Sequence, residues 1–162
     1  MALDRFLPHC VVYTGTHDND TTKGWFTSTD VATTQSWDEV EAERAYARRY
    51  VNAKGEEPQW DMIRAAFSSV ADTAIVPLQD ILGLDSRARM NLPGKADGNW
   101  HWRFKKGQLD WQVQDRYAEL TALYSRWNGA LPAEWNPRSR VQKLGGSSSA
   151  EPVAVNGGQT AP

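Results

Sequence analysis

The sequence holds a single cysteine, Cys10, so no disulfide can close within the chain. A lone thiol fits a reducing compartment, and a cytoplasmic location is the expectation. Positive charge is not in excess: 18 Lys and Arg stand against 20 Asp and Glu, a formal net charge of -2. That leaves no basic field for nucleic acid or anionic lipid, and neither is expected as a partner. No apolar run approaches the ~20 residues of a membrane-crossing helix. The start, Met1-Ala2-Leu3-Asp4-Arg5-Phe6, lacks the charged region and apolar stretch of a signal peptide. Metal-ligand spacing is missing as well. An EF-hand loop starting at Asp18 would need Gly and Glu where Lys23 and Thr29 stand, and His17 has no histidine at i+4. No metal or cofactor is expected.

What the chain has in plenty is aromatic residues: 8 Trp, 5 Tyr and 4 Phe. Their faces pack cores and interfaces and also stack on sugar rings. The 162 residues suffice for one domain.

Val11 to Thr14 reads as a short strand. Ser36 can cap a helix beginning at Trp37, with Glu39 completing a capping box. Asp38, Glu39, Glu41 and Glu43 sit toward its start and Arg48 and Arg49 toward its end, the polarity a helix dipole favours. The stretch from Asn52 to Gly55 ends it. A second helix is expected from about Gln59 to Val70, with Trp60, Ile63, Phe67 and Val70 on one face. Thr73-Ala74-Ile75-Val76, closed by Pro77, reads as a fully buried strand. A long loop from Gln79 to Lys106 then leads to a last helix. Its core face holds Leu109, Val113, Tyr117, Leu120, Tyr124 and Trp127, and Asn128-Gly129 with Pro132 stop it.

Strand, helices, strand, helix is a βαβ order, which predicts an α/β fold with parallel strands. Two strands cannot close a barrel, which needs eight, so alone they would leave sheet edges open. The tail from Gly145 to Pro162 is rich in Gly, Ser, Pro and Ala, and disorder is expected there.

His17-Asp18-Asn19-Asp20 is the densest polar cluster and stands where the first strand ends. A carboxylate at such a rim can accept hydrogen bonds from adjacent sugar hydroxyls, and a neighbouring histidine can add one more. A polar turn bonded to its own backbone accounts for the same residues. The second cluster lies between Asn91 and Arg103. The amides of Asn91 and Asn99 can pair with hydroxyls, and Trp100 and Trp102 would share a face if the segment is extended. Packing would explain the two tryptophans equally well. Gly94 and Gly98 set turns rather than bind phosphate. Cys10, in an apolar Cys-Val-Val context, reads as packing and not as a nucleophile.

Three stretches together resemble the amylomaltase (4-α-glucanotransferase, or disproportionating enzyme) family. They are Val11-Val12-Tyr13-Thr14-Gly15-Thr16-His17-Asp18-Asn19-Asp20, Pro77-Leu78-Gln79-Asp80-Ile81-Leu82-Gly83-Leu84, and Arg89-Met90-Asn91-Leu92-Pro93-Gly94 with Gly98-Asn99-Trp100-His101-Trp102-Arg103. The likeness covers roughly the first four fifths of the chain. It implies an incomplete (β/α)8 TIM barrel, the last two strands with their helices, over residues 1–143, followed by a disordered tail over 144–162. It implies, too, an activity: retaining transfer of an α-1,4-glucan segment to the 4-hydroxyl of glucose or another glucan. Asp18 falls where the family has its transition-state-stabilising carboxylate. His17 and Asn91 fall at sugar-binding positions, and Trp100 is the aromatic expected to bind substrate beside them. The nucleophilic aspartate and acid/base glutamate are implied to lie on upstream strands, so the isolated chain is expected to be inactive. Partners would be α-1,4-glucans, maltooligosaccharides and a complementary chain carrying those strands. The family's Phe-Leu-Pro-His segment is usually separated from its strand by several residues, whereas Phe6-Leu7-Pro8-His9 here runs straight into Cys10. A non-catalytic α-glucan-binding fragment is the alternative reading, and a truncated product unable to fold alone is the third.

Overall fold

Two three-residue strands, β1 (Val11–Tyr13) and β2 (Thr73–Ile75), pair in parallel with Val12 opposite Ala74. The computed structural model describes residues 9–29, 35–53 and 57–127. The 144–162 tail and the Asn128-Gly129 stop lie outside them. Between the strands run α1 (Thr22–Thr27), α2 (Trp37–Tyr50) and α3 (Pro58–Phe67). After β2 come a four-residue α4 (Leu78–Ile81), a 3-10 turn (Ser86–Ala88) and α5 (Trp111–Leu123). The α/β, parallel-strand expectation agrees with this order.

The central helix is α3. Trp60, Ile63 and Phe67 meet Leu120 of α5 in one buried cluster, with Val76, Ile81, Val113, Tyr117 and Tyr124 packed around it. Its Ala66 joins Val12 and Ala71 in a second cluster against the sheet, where Cys10 packs as a small apolar side chain. Arg126, just past α5, donates from Nε to the Phe67 carbonyl at 2.8 Å and from Nη2 to the Ser69 carbonyl at 2.6 Å. Its Nη1 donates to the Ala71 carbonyl. One guanidinium thus closes the turn that feeds β2.

α2 begins as its sequence predicts. The Ser36 hydroxyl accepts from the Glu39 N–H, and the Glu39 carboxylate accepts from the Ser36 N–H. It ends at Asn52, whose φ of 52° permits paired bonds from Ala53 N–H to Arg48 and from Asn52 N–H to Arg49. α5 closes by the same device with Ser125 (φ 53°) in the left-handed position, and Arg126 N–H reaches the Thr121 carbonyl. Trp127 therefore lies beyond the helix and is exposed, which corrects the expected core face. Val70 likewise lies past the end of α3 and is exposed.

The strands depart from full burial. Val12 is 2% exposed, but Val11, Tyr13 and Ile75 are 44–47% exposed. One sheet face packs on α3, and the other stays about half exposed. The bonds from Thr73 N–H to the Cys10 carbonyl and from Thr14 N–H to the Ile75 carbonyl set which way β1 faces. In a parallel pair such groups alternate, so the N–H and C=O of Val11 and Tyr13 point to the unpaired edge.

Candidate functional site

β1 delivers its polar cluster into a tight turn. The Asn19 side-chain oxygen accepts from the Thr16 N–H and hydroxyl, both at 2.8 Å. Thr21 then caps α1 by accepting from the Gly24 N–H at 3.0 Å. Periodicity gives no sign of this six-residue helix, because its stability comes from elsewhere in the chain. Asp80, on α4 and 2% exposed, accepts from the Thr14 hydroxyl at 2.6 Å, the Thr22 N–H at 2.7 Å and the Thr22 hydroxyl at 2.8 Å. At the other end the Ser28 carbonyl accepts from Arg44 at 2.8 Å and the Phe26 carbonyl from Arg48 at 3.4 Å. The turn carrying His17 and Asp18 is thus held between the end of β1 and a helix fixed at both termini.

A second tie comes from Asp20, which accepts from the Ser86 hydroxyl at 2.6 Å and the Thr21 N–H at 2.8 Å. Gly24 makes this closeness possible, because a Cβ there would lie 2.5 Å from Ser86 Oγ and 2.7 Å from the Ser86 nitrogen. Asp85 starts the 3-10 turn that presents Ser86. Its carboxyl is held below the usual range by hydrogen bonds from the Arg87 side chain and backbone.

The segment after that turn folds back over the rim. The Asn91 side-chain amide donates to Asp18 Oδ1 at 2.5 Å, and the Asn91 N–H donates to the His17 carbonyl at 3.0 Å. His17 Nε2 stands 3.3 Å from the same Asp18 oxygen. Trp100, with its N–H donating to the Met90 carbonyl at 2.6 Å, places its indole 5.1 Å from the His17 ring at a tilt of 36°. The structure therefore brings together all four residues singled out in the sequence: His17, Asp18, Asn91 and Trp100. Asp18 is about half exposed, and its Oδ2 makes no hydrogen bond among the described residues. Beneath the rim opens a cleft of about 570 Å³ lined by Tyr13, His17, Asp20, Ile75, Asp80 and Arg89.

Other expectations resolve differently. Asn99 does not offer its amide to solvent. Its oxygen accepts from the Leu92 N–H and its nitrogen donates to the Lys95 carbonyl, both at 2.8 Å, so it braces its own loop. Trp100 has φ 62° and stands in a turn, so the segment is not extended there and the alternation with Trp102 does not hold. Gly94 and Gly98 do set turns, at φ 81° and 82°. The Gln79–Lys106 stretch holds α4 and the 3-10 turn, so it is not one long loop. Arg89, two residues before Asn91, has no role in the sequence reading. Here it donates to the carbonyls of both Asp18 and Asn91, at 2.5 and 2.9 Å.

Residues 1–110 match the family model described as 4-alpha-glucanotransferase. The 4-alpha-glucanotransferase of Synechocystis sp. is 48% identical over 127 residues, covering 75% of this chain and 23% of that protein. The chloroplastic/amyloplastic 4-alpha-glucanotransferase of Arabidopsis thaliana is 44% identical over 129 residues, covering 74% and 21%. Among solved structures, the amylomaltase from Streptococcus agalactiae in complex with acarbose superimposes with a TM-score of 0.61 at 34% identity. That match covers 73% of this chain and 22% of the other. The chain thus spans about a fifth of the length of the curated relatives it matches.

Proposed function

This chain belongs to the 4-alpha-glucanotransferase family, and we propose on that footing that it furnishes the sugar-binding rim of an α-1,4-glucan transferase site. The observation that supports this is the grouping of His17, Asp18, Asn91 and Trp100 from two segments more than 70 residues apart. Asp18 is the transition-state stabiliser. Asn91 holds its Oδ1, with His17 Nε2 3.3 Å from the same oxygen, which leaves Oδ2 to accept from a ring hydroxyl. Such bonds tighten as the sugar becomes cationic and supply several kcal/mol of barrier reduction. His17 and Asn91 contribute further polar contacts, and the exposed Trp100 gives a face for the pyranose.

A retaining transfer also needs a nucleophilic carboxylate and an acid/base carboxyl about 5–5.5 Å apart. Around this rim Asp80 and Asp20 are both consumed by hydrogen bonds that hold the fold. Asp18 is the one carboxylate of the described cluster left to meet a ligand. The reaction therefore draws its other two carboxyl groups from further barrel strands, and the chain alone binds glucan without turning it over. Those strands have a place to join. The outward N–H and C=O groups of Val11 and Tyr13 offer a parallel edge. Beside it a groove of about 610 Å³, lined by Trp25, Tyr46, Tyr50 and Met62, can receive the accompanying helix.

The test incubates the purified chain with maltotriose, separates products by size, and titrates maltotetraose against the tryptophan fluorescence. Unchanged maltotriose with saturable binding is expected. Glucose with maltopentaose would overturn the need for outside carboxylates, and absence of binding would overturn the rim itself. In an assembled barrel containing this chain, Asp18→Asn should lower kcat far more than it raises KM.

A further inference from the structure

We propose that Arg89 is a positioning residue for the sugar site, acting on Asp18 and Asn91 through their backbones; the inference rests on the roles proposed above for that pair. The two carbonyls that Arg89 grips belong to the two residues whose side chains bond each other. Nη2 holds the Asp18 carbonyl at 2.5 Å and Nε holds the Asn91 carbonyl at 2.9 Å. Asp18 and Asn91 are 73 residues apart in sequence, on different segments, and meet side chain to side chain at 2.5 Å. With one rigid plane fixing both backbones, the Asp18 carboxylate meets an amide already in place. Without it, the carboxylate and amide would have to find each other across two loops whose backbones are tied to each other by the Asn91 N–H to His17 carbonyl bond.

The placement argues against a purely architectural part. Arg126 performs the architectural version of this task, tying three carbonyls beside the hydrophobic core. Arg89 instead lines the cleft beneath the rim. Its geometry depends on a fork: two N–H groups in one plane, aimed at two acceptors. Lysine carries the same charge as a rotating point and cannot hold both carbonyls in fixed relation. What Arg89 supplies is preorganisation, so its loss weakens ligand capture while the core stays packed.

The experiment uses the full chain labelled with nitrogen-15, in wild-type, R89Q and R89K forms, with Asp18→Ala as the control that identifies the Asn91 side-chain signal once its acceptor is gone. Two quantities are read: the position of that Asn91 amide signal and the affinity for maltotetraose. In both R89Q and R89K the signal should move toward the position seen in Asp18→Ala. Affinity should fall about tenfold or more, the scale of a lost charge-assisted contact. An unmoved Asn91 signal in R89Q would overturn the proposal, as would recovery of signal and affinity in R89K, which would make charge and not the fork the agent. If R89Q loses its dispersed spectrum, R89K decides on the same two readouts. If wild-type binds no maltotetraose while the Asn91 signal still moves in both variants, the positioning stands and the proposed function fails.

Discussion

Asp80 takes both the backbone N–H and the side-chain hydroxyl of Thr22, at 2.7 and 2.8 Å, across 58 residues of sequence. With the Thr14 hydroxyl also donating to it, this buried carboxylate joins the end of β1 to the start of α1. It works as a structural anchor beneath the site. Asp80→Ala strips three donors of their acceptor, and a loss of about 3 kcal/mol or more is expected in urea unfolding. Asp80→Asn keeps an acceptor and should lose less. Equal stability of Asp80→Ala and wild-type would refute the anchoring.

Trp100 spends backbone energy to present its ring. A tryptophan at φ 62° is a costly conformer, by about 1 kcal/mol or more. Trp100→Gly relieves that strain while removing the ring, whereas Trp100→Ala removes the ring and keeps the strain. The glycine variant should therefore be more stable than the alanine variant, and both should lose maltotetraose affinity. Equal melting temperatures for the two would count against a strained wild-type backbone.

Gly24 inverts the usual rule for helices. In an ordinary helix Gly→Ala stabilises by up to about 1 kcal/mol. Here the added methyl would press on Ser86 Oγ, the Ser86 nitrogen and Asp20 Oδ1 at 2.5–2.7 Å. Gly24→Ala should destabilise the chain and part the Asp20–Ser86 bond. A stabilised variant in thermal melts would contradict the close approach.

Two carboxylates should give opposite pH slopes. Glu39 is held low by donation from the Ser36 N–H and hydroxyl. Its contribution is therefore full above the ordinary carboxylate range and lost as pH falls through its depressed value. Asp61 is raised, first because burial strips water from it, with Arg64 and Arg116 pulling back. Its neutral form suits the fold, so stability falls as pH rises through its elevated value. Chemical denaturation between about pH 3 and pH 7 separates them. Glu39→Gln, which keeps a capping side chain, should lose stability relative to wild-type at neutral pH alone. Asp61→Asn should gain there, and both differences should vanish in acid.

Local signals in this chain are legible and remote ones are not. Ser36 and Glu39 are three residues apart, so the start of α2 can be read from the sequence. α1 depends on Asp80 and on arginines of α2, and its own residues carry no helical periodicity. The halt of α5 is similar: Asn128-Gly129 is the evident stop signal, yet Ser125 takes the left-handed conformation first. At the site, residue type and place mark the His17–Asp20 cluster and the Asn91–Arg103 segment, and the family resemblance assigns roles to His17, Asp18 and Asn91 within them. Asn99 carries the same chemistry as Asn91, and only its contacts with Leu92 and Lys95 reveal a bracing role. Arg89 opens one of the stretches that carry the family resemblance, yet its task is not legible there, because a guanidinium bound to carbonyls has no sequence pattern of its own.

The grip of Arg126 on the turn before β2 makes that strand depend on a distant part of the chain. The strand takes its starting point from a side chain 55 positions further along, at the end of the last described helix. Closing so long a loop costs entropy before its contacts return any. A chain cut within the final turn of α5 would keep His17, Asp18, Asn91 and Trp100 and still lack a settled strand beneath them.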